Sequence, residues 1–79
     1  MTISPNPGRD HFFVSCPDDL EIGAVTIFNS TGKEMLFINS LKNQDDWYVP
    51  MNNYVSGIYF IQVQDIKGNR YTYKWILME

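Results

Sequence analysis

The sequence predicts an antiparallel β-sandwich, and three observations carry that prediction. Apolar and polar residues alternate with a period of two across most of the 79-residue chain, and helical spacing is almost absent. β-Branched and aromatic residues fill the alternating runs. Turn-forming groups of Gly, Pro, Asn, Asp and Ser separate those runs at intervals of about ten residues. Six or seven short strands of this kind close most readily as two facing sheets, with a small barrel as the alternative.

Each element follows in order. The chain opens on the stretch ISPNPGRDHFFV, residues 3–14. Pro5 and Pro7 bar a helix and remove two backbone donors. The motif Pro5-Asn6-Pro7 is therefore expected to keep the chain from pairing as it enters the sandwich, with the register set at Phe12. Residues 11–16 read as a strand with Phe12 and Val14 on one face and Phe13 on the other; Pro17-Asp18-Asp19 ends it. Residues 24–29 place Val25 and Ile27 together, and Ser30-Thr31-Gly32 turns the chain into a partner strand at 33–38. A polar connection, 39–46, leads to residues 46–51. There Trp47, Val49 and Met51 share a side, and Pro50 marks an edge or an end. Residues 57–65 alternate most cleanly: Gln62 and Gln64 outward, Tyr59, Ile61 and Val63 inward. The turn Lys67-Gly68-Asn69 leads into a last strand at 70–78. The expected core is Phe12, Val14, Val25, Ile27, Val49, Tyr59, Ile61 and Val63.

Composition narrows the function. One domain of this size buries only about 60% of its unfolded surface, so its stability margin is thin. A single cysteine, Cys16, excludes an internal disulfide, and one histidine with one cysteine cannot build a four-ligand zinc site. Core volume falls to the aromatic residues, 15% of the chain. A net charge of −3 with six scattered Lys and Arg argues against nucleic acid and anionic membranes. No apolar run reaches the roughly 18 residues that span a bilayer, so membrane insertion is not expected.

No constellation for catalysis, cofactor or metal stands out. His11 beside Asp10 reads as a half-exposed strand histidine, because general acid–base work needs positioned partners. Cys16 reads as a small hydrophobe, lacking a setting that lowers its pKa. The pairs Asp18-Asp19 and Asp45-Asp46 suit solvated turns, with calcium the less specific alternative. Asn29-Ser30-Thr31 matches an N-glycosylation acceptor and equally matches a hairpin turn, the reading preferred here. Phe13, Phe28, Tyr48 and Phe60 fall on outer faces, where they could stack on sugars or pack on a partner, unless a second sheet covers them. Tyr59 suits a corner role, with its hydroxyl bonded to nearby backbone.

The order of fragments adds a resemblance. Pro5-Asn6-Pro7, then Phe12-x-Val14, then Val25-x-Ile27-Phe28-Asn29 before Gly32-Lys33, then Ser56-Gly57-Ile58-Tyr59-Phe60, then Lys74 near the end, form a succession from Ile3 to Leu77. This succession resembles the type A C-terminal sorting domain of the bacterial type IX (Por) secretion system. Three positions depart from that family's pattern: Asp10 for glycine, Tyr54 for leucine, and an acidic end, Ile76-Leu77-Met78-Glu79, for a terminal lysine. The resemblance implies a small immunoglobulin-like sandwich of about seven strands, residues 1–79, at the end of a larger secreted protein. It implies a non-catalytic address, recognised by the outer-membrane translocon of Bacteroidetes-type bacteria after the cargo has reached the periplasm. A gingipain-like sortase is the implied second partner, and the surface or the medium the destination. Gly57, Ile58, Lys74 and the last strand are the candidates for recognition, the last strand by offering unpaired backbone groups. Two other readings compete: an accessory module binding carbohydrate or protein through Phe13 or Tyr48, and an inert spacer.

Overall fold

The computed structural model describes residues 1–15, 21–39 and 46–79. Its seven strands are β1 (Thr2–Ser4), β2 (His11–Ser15), β3 (Ile22–Asn29), β4 (Glu34–Asn39), β5 (Asp46–Pro50), β6 (Gly57–Asp65) and β7 (Arg70–Leu77). They form an antiparallel three-stranded sheet in the order β1-β2-β5 and an antiparallel four-stranded sheet in the order β4-β3-β6-β7. One core joins the sheets into a sandwich. Phe12, Val14, Trp47 and Val49 come from the smaller sheet, and Val25, Ile27, Tyr59, Ile61, Val63, Trp75 and Leu77 from the larger. Phe12 and Trp75 meet across the interface with ring centroids 5.0 Å apart.

Alternation decides which side chains enter that core. Along β2, Phe12 and Val14 are fully buried, whereas Phe13 between them is exposed. Along β6 the same period buries Tyr59, Ile61 and Val63 and leaves Gln62 and Gln64 on the other face. Trp75, the largest fully buried side chain, and Leu77 complete the core from β7. Burying an indole of this kind removes about 150–250 Å² from water. At about 25 cal/mol per Å², that is up to roughly 4–6 kcal/mol before conformational entropy is charged.

Two hairpins use one turn. In β3–β4 the Asn29 carbonyl accepts from the Gly32 amide at 3.0 Å, and the Asn29 amide donates to the Lys33 carbonyl at 2.9 Å. In β6–β7 the same pair of bonds links Asp65 with Gly68 and Asn69 at 3.1 and 2.9 Å. This is a type I turn closed by a left-handed residue, and Gly32 (φ +88°) and Gly68 (φ +94°) supply that conformation. Nothing lies within 4 Å of a Cβ at either position, so backbone conformation alone selects glycine. Asn29 Oδ1 accepts from the Thr31 and Lys33 amides and the Thr31 hydroxyl, which gives the Asn29-Ser30-Thr31 triplet its turn role. Asp65 Oδ1 accepts from the Lys67 and Asn69 amides in the same way.

One expectation about the chain's opening needs correction. Pro5 and Pro7 do not keep it from pairing: Thr2–Ser4 ahead of them pairs with β2, and residues between and after them bond to β7. Proline removes only its own donor, and the groups used here belong to Asn6 and Gly8. Cys16, Asp18-Asp19, Asp45 and most of the polar connection lie outside the described residues.

Candidate functional site

The carboxyl-terminal half of β7 is an outer strand of the larger sheet, and its free edge is already occupied. Asn6 Nδ2 donates to the Lys74 carbonyl at 3.0 Å, and the Ile76 amide donates to Asn6 Oδ1 at 3.3 Å. The side-chain carboxamide thus presents the donor and acceptor of a peptide group to the strand. Gly8 continues the pattern as a one-residue parallel bridge to Leu77: its amide donates to the Ile76 carbonyl at 2.9 Å, and its carbonyl accepts from the Met78 amide at 2.7 Å. Beneath this contact the buried Trp75 indole donates to the Pro5 carbonyl at 2.6 Å. The last strand therefore does not offer a free edge between Lys74 and Met78, which corrects the expectation of unpaired backbone there. The edge from Arg70 to the Lys74 amide has no partner among the described residues.

The broad face of the same sheet gathers two of the sequence-predicted recognition residues. Ile58 pairs with Ile76, and the next outward position on each strand pairs Phe60 with Lys74, so Ile58 and Lys74 are diagonal neighbours on one face. Phe28 lies on the other side of Phe60. Gly57 opens β6 opposite Leu77, with φ +152° and open space around it, and contributes backbone rather than a side-chain surface.

Among families of known proteins, the model for the secretion system C-terminal sorting domain matches residues 2–78. The chain belongs to this family. The match covers both the Pro5–Gly8 clasp and the strand it closes, so the geometry above is that of a sorting domain rather than of a sandwich chosen at large. Such a domain is a C-terminal sorting signal for type IX secretion, and it marks its cargo as secreted or held at the cell surface. No curated protein matches the chain.

Three further features of the sorting domain bear on what it can do. The Tyr59 hydroxyl donates to the Val55 carbonyl at 2.5 Å, tying the loop that precedes Gly57 to the core. Burial, and secondarily the neighbouring Tyr54, raise the Tyr59 phenol above its ordinary value of 10.0. Tyr54, at the position where the family pattern has leucine, packs against the core and edge-on to Tyr59 at 6.4 Å. A groove of about 290 Å³ lies beside this loop, between Arg9, Tyr54, Val55 and the last residues of the chain.

The smaller sheet carries a second group of aromatic side chains. His11, Phe13 and Tyr48 meet with centroids 5.2–5.4 Å apart, and His11 Nδ1 lies 2.5 Å from the Asp10 carboxylate. Their rings cross at 82°, 32° and 56°, so they pack on one another as a cluster rather than lying in one plane. Sequence reasoning missed Trp75 and the clasp. Trp75 was legible from Lys74 beside it, since an outward lysine turns the next residue inward. The clasp joins residues 68–70 positions apart, and no local pattern announces such a contact.

Proposed function

We propose that this chain is the C-terminal address of a larger exported protein, with the cargo on its N-terminal side. The cargo first reaches the periplasm of a Gram-negative bacterium of the Bacteroidetes kind. The type IX translocon in the outer membrane then recognises the folded domain and passes the cargo to the surface or medium. A gingipain-like sortase is the second partner that this reading implies. The domain itself carries out no reaction. Family membership over residues 2–78 is the observation that carries this reading.

Within the domain we assign recognition to Gly57, Ile58 and Lys74, and a structural task to Pro5-Asn6-Pro7. Two observations support the assignment. Ile58 and Lys74 share the outer face of the larger sheet, and the Tyr59–Val55 bond fixes the approach to Gly57. The clasp, in turn, spends its polar groups on β7 and is not free for a partner. The test is to fuse the chain behind a reporter that carries an inner-membrane signal peptide, in a type IX-bearing bacterium and in a strain lacking the translocon. The reporter is expected outside only in the first; periplasmic retention in both removes the proposal.

A further inference from the structure

Across β6 and β7 the outer face of the four-stranded sheet is divided. Toward the Asp65–Asn69 turn these two strands carry Gln62, Gln64, Thr72 and Arg70, with the exposed Phe37 of β4 in the same row as Gln62. Toward the opposite end Ile58 stands beside Ile76, and Phe60 stands between Phe28 and Lys74. Ile58, Phe60 and Ile76 are 40%, 36% and 37% exposed. Single exposed apolar side chains are ordinary on a soluble domain, whereas a contiguous set spanning neighbouring strands marks a contact surface. Lys74 borders this set, and no carboxylate among the described residues lies within 4.0 Å of its ammonium.

That lysine defines what can cover the patch. A surface seated on Ile58, Phe60 and Ile76 strips water from the Lys74 ammonium, and a desolvated charge is tolerated only when an opposite charge meets it. We infer that this half-face docks a protein surface of the export machinery made of an apolar strip bordered by a carboxylate that meets Lys74. The inference rests on the sorting role proposed above and gives that role a partner chemistry. An anionic lipid surface is disfavoured by the net charge of −3. A glycan is less well served, because two of the patch's three exposed apolar side chains, Ile58 and Ile76, offer no ring face.

The test uses the full chain behind the exported reporter. Ile58→Thr with Phe60→Thr removes the apolar strip while keeping β-forming residues; Lys74→Glu reverses the charge, and Lys74→Arg preserves it. Gln62→Glu with Gln64→Glu alters the polar half of the same face. With circular dichroism and melting confirming each fold, the first two changes should lower the exported fraction at least about tenfold, the loss that follows from removing central contacts. The Gln62/Gln64 change should export like the parent, and Lys74→Arg, which keeps the charge, should recover most of the export that Lys74→Glu loses. Normal export by the first two variants, when deletion of the whole domain abolishes it, overturns the docking surface and leaves the sorting role standing. Normal export without the domain removes the sorting role and the docking surface together. Sedimentation supplies the remaining arm: a monomer supports an external partner, whereas a dimer abolished by Lys74→Glu makes a second copy the occupant and overturns the inference.

Discussion

Two residues show how little freedom single positions have in a domain this small. A Cβ built on Gly8 would lie 2.6 Å from Trp75 Cζ2, 2.9 Å from the His11 carbonyl oxygen and 3.0 Å from the Pro5 carbonyl oxygen. The indole is fully buried and cannot swing away. Gly8→Ala should therefore cost about 1–3 kcal/mol as an overpacking change. Calorimetry would register it as a lower melting temperature, by roughly 4–8 °C per kcal/mol; an unchanged melting point would show that the clasp shifts freely. Asp65 makes the second case. Burial acts to raise its carboxyl, but bonds from the Asn69 side chain and amide, the Lys67 amide and Tyr71 outweigh burial and hold it below its ordinary 3.8. The unfolded chain then binds a proton more readily than the folded one. The stability contributed by Asp65 is present above the unfolded value, 3.8, and is lost as pH falls through the lower folded value. Asn29 runs the equivalent turn with a carboxamide, so Asp65→Asn should fold. Its melting temperature should decline less between about pH 5 and pH 3 than the parent's; parallel declines would remove Asp65 from the acid response.

At the scale of elements, the clasp and β7 behave as one unit. Asn6 acts toward Lys74 and Ile76 as a neighbouring strand's peptide would, and Gly8 completes the row. An unsealed edge invites pairing with another chain, so this covering also keeps the terminal strand from adding to foreign sheets. Asn6→Ala removes both side-chain bonds and leaves Gly8 in place. Hydrogen exchange should then quicken at the Ile76 amide, which donates to Asn6, far more than at the Met78 amide, which donates to Gly8. Equal acceleration at both would mean that the clasp opens as a whole. The pattern of residues made most strands legible: β2 through β7 alternate or end on recognisable turns, and the buried side chains of β2, β3, β5 and β6 follow from that alternation. β1 was not legible, because three residues with one half-buried side chain give no period, and the prolines after it argued for an unpaired chain. The apolar run Trp75-Ile76-Leu77-Met78 has no alternation of its own, so the inward face of β7 stayed undecided without Lys74. Of the candidate site, Ile58 and Lys74 were legible as positions, but their adjacency depends on the β6–β7 register.

For the whole molecule, residues 2–8 matter because they belong to both layers. Thr2–Ser4 lies on the edge of the smaller sheet against β2, and Asn6 and Gly8 lie on the edge of the larger sheet against β7. The segment crosses between the sheets at Pro5, whose carbonyl receives the Trp75 indole N–H. A folded domain of this size holds only about 4–12 kcal/mol in total, at roughly 0.05–0.15 kcal/mol per residue. Removing residues 1–8 would strip a strand from β2, leave the Trp75 donor unpaired, open the β7 edge and expose core surface around the indole. A buried donor without a partner costs about 1–3 kcal/mol by itself, and lost apolar contacts add to that. The truncated chain, beginning at Arg9, should therefore lose its cooperative thermal transition and bind a hydrophobic dye. A peptide of residues 1–10 added in excess should restore part of the transition by mass action. A truncated chain that melts cooperatively near the parent temperature would instead make the segment an appendage of a self-sufficient sandwich. If the expected result holds, the residues that lead from the cargo into the domain are integral to the fold, and the surface formed by β6 and β7 is presented only when both ends of the domain are in place.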